Sequence, residues 1–202
     1  MIEKKDRMEV ATFQKPKKGN YHSGDSYFYM EMNDGFICAL ADGLGSGEIA
    51  KDSSDTVINV IRNHLDEPLD VLVEQANKSL FGHQLRGCVL GILRVDYKRQ
   101  LYSYVSIGNI SVIVVDCYGN KRRNIPVPGY LSGVKKPVKV QDGKLEAGSV
   151  FFMFSDGVNE RQLTKEFYSH DTMDLTIQWF RLQQKDYMDD DTTLIAMKYQ
   201  KE

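Results

Sequence analysis

Four acidic sites in the chain stand beside glycines or small hydroxyl residues. They are Asp25 in Gly24-Asp25-Ser26, Asp42 in Ala41-Asp42-Gly43-Leu44-Gly45-Ser46-Gly47, Asp156 in Ser155-Asp156-Gly157, and the triplet Asp189, Asp190 and Asp191 ahead of Thr192-Thr193. Two ionised carboxylates brought to about 4 Å repel by on the order of 4 kcal/mol at an effective dielectric near 20. Only a cation or a proton relieves that. Oxygen ligands without a supporting His or Cys favour magnesium or manganese over zinc or copper. A pair of such ions can hold a hydroxide and a phosphate together, which is the chemistry of phosphomonoester hydrolysis. Singly, an Asp-Gly is a turn and an Asp triplet a solvated surface, so the signal lies in their joint order. Gly43, Gly45 and Gly47 also admit a phosphate cradle for a nucleotide. No Lys-Ser or Lys-Thr follows them, however, and the middle of the chain lacks βα alternation.

The elements that must carry these residues are legible in the hydrophobic pattern. A weak alternation at Val10, Thr12 and Phe13 predicts a first strand, and the turn formers from Gly19 to Gly24 then deliver Asp25. Ser26 to Met32 and Phe36 to Ala41 read as a hairpin, with Asn33-Asp34-Gly35 expected to supply a positive φ. That hairpin sets Asp25 and Asp42 at the same end of paired strands. From Glu48 the period becomes helical through Ala50, Ser54, Val57, Ile61 and Leu65, and a second stripe follows Pro68 at Leu69, Leu72, Val73, Ala76 and Leu80. Runs at Gly87–Asp96, Leu101–Ile107 and Ile110–Cys117 predict strands, most simply as a meander. Ile125 to Gly133 predicts an ordered loop, and Val138 to Val140 a return to extended chain. The non-alternating run Ser149 to Phe154 fits a strand covered on both faces and ends at Asp156. Asp171 is the expected cap of a helix bearing Leu175, Trp179 and Leu182, with the tryptophan in the core. A last strand runs from Leu194 to Tyr199.

Composition bounds the rest. At 202 residues the expectation is one domain spanning 1–202. A net charge of -2 gives no global pull towards nucleic acid or an anionic membrane. With neither a signal peptide nor an apolar run of about 18 residues, a cytoplasmic location is expected. Cys38, Cys88 and Cys117 are widely spaced in apolar runs, which predicts reduced, buried thiols.

Taken in order, the four acidic motifs resemble those of the metal-dependent serine/threonine phosphatases of the type 2C (PPM) class, in their bacterial SpoIIE-like branch. Gly108-Asn109 resembles that family's central strand-turn signature, and the likeness spans Gly24 to the last strand. It implies an α/β (α+β) sandwich: two mainly antiparallel sheets face to face, flanked by helices, with metals at one end. It further implies two Mn2+ or Mg2+ ions, with Asp42 bridging them, Gly43 giving its carbonyl, Asp156 and Asp190 as direct ligands, and Asp25 acting through water. Asp42, Asp156 and Asp190 thereby carry catalysis through a metal-bound hydroxide. Asp190 keeps the pair-then-Thr register ending on Thr193, leaving Asp191 as a flanking carboxylate.

Pro128-Gly129-Tyr130-Leu131-Ser132-Gly133 and Asp42 to Ala50 are similar to stretches of the stand-alone members that act on stressosome proteins. The substrates implied are phosphorylated RsbR- and RsbS-like scaffolds, in negative feedback on the general stress response. The loop from Pro128 to Gly133 is the candidate for substrate selection, and a monomer without a sensor domain is expected. A phosphorylated anti-sigma antagonist is the alternative substrate, and a non-catalytic phosphoprotein-binding module the alternative role. Two departures stand out. Leu44 occupies the place of a histidine acid in many eukaryotic relatives, and no residue matches their phosphate-binding arginine. Lys15, Lys17, Lys18 and Arg86 are the cations left for that role.

Overall fold

The computed structural model describes residues 7–82 and 85–200. Its strands are β1 (Met8–Lys15), β2 (Asp25–Glu31), β3 (Gly35–Gly43), β4 (Cys88–Asp96), β5 (Leu101–Ile107), β6 (Ser111–Val115), β7 (Lys121–Arg123), β8 (Gln141–Lys144), β9 (Val150–Phe154) and β10 (Thr192–Tyr199). The helices are α1 (Glu48–Asn63), α2 (Leu69–Ser79) and α3 (Met173–Leu182). One sheet has the order β1-β10-β9-β6-β7 and the other β2-β3-β4-β5-β8. Every strand pair within them is antiparallel.

The layers follow from side-chain parity. On β3, Phe36, Cys38 and Leu40 join a core with Phe151, Met153, Ile195 and Met197 of the opposite sheet. The alternate residues Ile37, Ala39 and Ala41 pack with Val57, Ile61, Leu72 and Val73 of α1 and α2. Strand β9 divides likewise, with Phe152 and Phe154 turned to Phe13, Ile177 and Phe180 under α3. Both central strands are therefore covered on two faces, which explains their unbroken apolar runs. The result is the expected sandwich.

Several expectations are corrected. The strands after α2 do not form a meander. Strands β4 and β5 pair, but the chain then crosses at Gly108-Asn109 and β6 joins the other sheet beside β9. Gly108 makes the crossing at φ +85°, where a Cβ would lie 2.1 Å from Cγ1 of Val89. At the β2–β3 turn, no residue from Asn33 to Gly35 has positive φ. Gly35 is needed for space instead, since a Cβ there would lie 2.3 Å from the Val95 carbonyl oxygen. Residues 138–140 carry no strand, and pairing with β5 begins at Gln141.

Helix α3 is capped by Thr172, whose hydroxyl accepts from Leu175 N, and not by Asp171. It buries Met173, Thr176, Ile177 and Phe180, leaving Trp179 53% exposed and Leu182 82% exposed. The tryptophan stacks on His170 at the surface and is not core. Cys38 and Cys88 are buried, as expected. Cys117 is exposed, because β6 ends at Val115 and the next residues turn back towards β7.

Candidate metal centre

The hairpin register pairs Asp25 directly with Asp42, and Gly43 with Cys88 of β4. In the other sheet β9 ends one residue before Ser155-Asp156, while β10 starts just after Asp190-Asp191, with Phe154 opposite Leu194. The four acidic sites thus converge from both sheets at one end of the sandwich, not from a single sheet rim.

Asp25 joins the halves. Its Oδ2 accepts from Ser155 Oγ at 2.7 Å and from Thr193 Oγ1 at 2.6 Å, both on the opposite sheet. Ser155 is itself fixed by Thr193 N, which donates to Oγ at 2.9 Å. The carboxylate is wholly buried, and its Oδ1 has no hydrogen-bond partner among the described residues. Burial pushes its pKa up to about 6; the two hydroxyls pull it down, and Asp191 and Asp156 push it further up. Asp42 is pushed up to about 8, by burial first and then by repulsion from Asp25, Asp156, Asp190 and Asp191. Asp156 is raised by burial and by Asp190, against a 2.6 Å hydrogen bond donated by Asn109 Nδ2. The raising causes share one origin: several carboxylates held close together and partly withdrawn from water.

The triplet divides its labour. Both oxygens of Asp191 are occupied, Oδ1 by Lys17 N at 2.8 Å and Oδ2 by Gly24 N at 2.9 Å. It ties the loop before β2 to the start of β10. Asp190 is exposed; its Oδ1 accepts from Asp191 N at 2.9 Å and lies 3.9 Å from Lys17 Nζ. Asp189 faces outward to Lys185. At Gly43 a Cβ would sit 1.8 Å from the Ala50 carbonyl oxygen, so the first turn of α1 rests against bare backbone there. Behind it Ser54 Oγ donates to the Gly24 carbonyl at 2.7 Å, and Lys51 Nζ donates to the Asp25 carbonyl at 3.2 Å.

An all-oxygen donor set, a buried carboxylate oxygen with no partner among the described residues and the mutual repulsion of the carboxylates fit a divalent cation of the Mg2+ or Mn2+ kind. Among the described residues no three His, Cys, Asp or Glu side chains are closed around one point at ligand distance. The carboxylates form an open rim.

The loop from Pro128 to Gly133 stands next to this rim. Leu131 and Cys88 exchange backbone hydrogen bonds of 2.8 and 3.1 Å, which sets the loop one strand away from Gly43. Asn77 of α2 clamps it: Oδ1 accepts from Ser132 N and Gly133 N, and Nδ2 donates to the Val134 carbonyl. The roles of Asn77, Asn109, Ser155 and Thr193 as partners were not readable beforehand. Hydroxyls flanking Asp156 and Asp191 were the available signal, but which carboxylate they reach depends on how the sheets stack.

With this geometry in place, the comparisons decide the family. Residues 33–200 match the family described as Stage II sporulation protein E (SpoIIE). The chain belongs to the SpoIIE family. Among its relatives, Phosphoserine phosphatase RsbX of Bacillus subtilis (strain 168) is 31% identical over 158 residues, 78% of either protein. Stage II sporulation protein E of Priestia megaterium is 25% identical over 151 residues, 74% of this chain but 24% of that protein. A crystal structure of RsbX in complex with magnesium is similar at a TM-score of 0.89, with 27% identity over 98% of each chain. The SpoIIE-family placement agrees with the sandwich and with the order of acidic motifs read from the sequence.

Proposed function

We propose that this SpoIIE-family chain is a metal-dependent protein serine/threonine phosphatase, one catalytic domain over 1–202. The observation that carries the reading is the convergence of Asp25, Asp42, Asp156 and Asp190 from two sheets at one end of the sandwich. Asp42, with the Gly43 carbonyl, Asp156 and Asp190, would hold two Mn2+ or Mg2+ ions. Asp25 would act through water from its Oδ1, its Oδ2 being taken by two hydroxyls. Bound there, such ions would supply an activated water for in-line attack on phosphorus and positive charge for the phosphoryl oxygens. Asn109 orients Asp156, and Asp191 fixes the loop that carries Asp190 relative to Gly24. With Leu44 after Asp42-Gly43, no imidazole acid stands there, and the leaving serine oxygen takes its proton from water.

The substrates proposed are phosphorylated stressosome proteins of the RsbR and RsbS kind, selected in part by Pro128 to Gly133. Similarity to a protein named phosphoserine phosphatase RsbX supports this, as does that loop's place beside Gly43. No helix among the described residues is long and apolar enough to cross a membrane. Separately, a cytoplasmic monomer is proposed. The test offers phosphorylated scaffold and phosphorylated anti-sigma antagonist side by side, with Mn2+ and with excess chelator. Faster phosphate release from the scaffold, abolished by chelator, is expected. Faster release from the antagonist would reassign the substrate, and release from neither would remove the activity.

A further inference from the structure

Among the described residues, Lys15, Lys17, Lys18, Lys51 and Lys185 lie near the metal rim and are already engaged, Lys185 with Asp189 at 3.5 Å. Lys15 Nζ donates to the Lys185 and Asp186 carbonyls, at 3.1 and 2.7 Å. Lys17 approaches Asp190, and Lys18 sits 4.5 Å over the Tyr187 ring. Lys51 Nζ lies 3.2 Å from Asp55 and donates to Ser26 Oγ at 2.8 Å. Arg86 differs from these. It is exposed and has neither an ion-pair nor a hydrogen-bond partner among the described residues.

Its position is set by backbone contacts. Leu44 N donates to the Gly87 carbonyl at 2.9 Å, and Gly43 pairs with Cys88, so residue 86 is brought alongside Gly45. The guanidinium lies over Gly45 itself: a Cβ there would be 2.7 Å from Arg86 Nη1. Gly45 has φ +106°, a conformation that also favours glycine. The guanidinium therefore flanks the segment running from Asp42, and no described residue takes up its charge.

We propose that Arg86 is the substrate-binding cation that receives the phosphoryl oxygens at this centre, and that Gly45 lacks a side chain to leave it room. The inference rests on the phosphatase reading above. A planar guanidinium presents paired N–H donors that match two phosphate oxygens, which a lysine ammonium cannot do. Placed beside the acidic rim, it adds the positive charge that a dianionic phosphomonoester needs where four carboxylates would otherwise repel it.

The test compares wild type with Arg86→Ala, Arg86→Gln and Arg86→Lys. Binding of inorganic phosphate to the Mn2+-loaded protein is measured by calorimetry, together with KM for a phosphoserine protein and Mn2+ affinity. The expectation is phosphate affinity lowered, and KM raised, by about tenfold or more in the Ala and Gln variants, less in Lys, with Mn2+ affinity within about twofold of wild type. Unchanged phosphate affinity in Ala and Gln variants that retain wild-type melting would overturn the assignment, whether or not the wild type turns over. A wild type that binds phosphate through Arg86 yet releases none from phosphoserine protein would refute the phosphatase reading alone.

Discussion

Asp25 is paired in register with Asp42 across the β2–β3 hairpin, yet both hydroxyls that bond its carboxylate, from Ser155 and Thr193, belong to the opposite sheet. The candidate centre is thus a seam between the sheets, and its geometry depends on their stacking.

Removing those hydroxyls should therefore injure metal binding as well as folding. Ser155→Ala or Thr193→Val leaves a buried acceptor short of a donor, at about 1–3 kcal/mol each. Both hydroxyls favour the charged form, so their loss raises the Asp25 pKa further and weakens Mn2+ binding by about 10–100-fold. Calorimetric Mn2+ titration and thermal melting check this. Wild-type values for both would break the link between the seam and the metal.

The pH dependence of stability has a definite sign. Folded-state carboxyl values of about 6 for Asp25 and about 8 for Asp42 lie above the ordinary range, so the metal-free native state holds more protons than the unfolded chain. Their stabilising contribution is complete below about pH 4 and is lost as pH rises to about 8. Between those limits the melting temperature of chelator-treated protein should carry a falling component with pH. Asp42→Asn should flatten it, and Mn2+ should stabilise the wild type more at pH 8 than at pH 5. A melting profile that Asp42→Asn leaves unaltered would contradict this.

At Gly43 the constraint is contact with backbone. A methyl group would collide with the Ala50 carbonyl, and moving the first turn of α1 costs about 1–3 kcal/mol. Gly43→Ala is expected to melt earlier and to bind Mn2+ more weakly. Melting at the wild-type temperature would show that α1 does not rest on Gly43.

Helix α3 offers a control on the packing. Trp179 is half-exposed, and Trp179→Gln should change stability by no more than about 0.5 kcal/mol. Phe180, fully buried against Phe13 and Phe167, should cost about 3–5 kcal/mol on truncation to Ala. The chain has one Trp, so iodide quenching of its fluorescence gives a second readout. An inaccessible tryptophan would contradict this placement of α3.

What could be read from the chain beforehand was what depends on neighbours in sequence. The Asp42 motif, the α1 stripe through Val57 and Ile61, and the two-faced burial of β9 are local patterns, and they were legible. The partnership of Asp25 with Ser155 and Thr193 joins positions more than a hundred residues apart, and no local spacing encodes it. The crossing at Gly108-Asn109 was missed for a related reason: a turn between strand-length runs looks the same whether the next strand pairs in its own sheet or in the other. On α3 the apolar spacing of Leu175, Trp179 and Leu182 imitated a core face, while the true face used Thr176, which apolar periodicity does not count. Asp190 and Asp191 were separable by motif register alone. The structure supplies a physical difference, since both oxygens of Asp191 are taken by backbone N–H groups.

The central claim is that Asp42 holds the metal on which phosphate release depends. Its most direct test is the initial rate of phosphate release from a phosphoserine protein with Mn2+, in wild type and in Asp42→Asn. The account predicts a fall of about a thousandfold or more, equivalent to about 4 kcal/mol of lost transition-state stabilisation, with the variant still folded. Turnover by Asp42→Asn at the wild-type rate would contradict it.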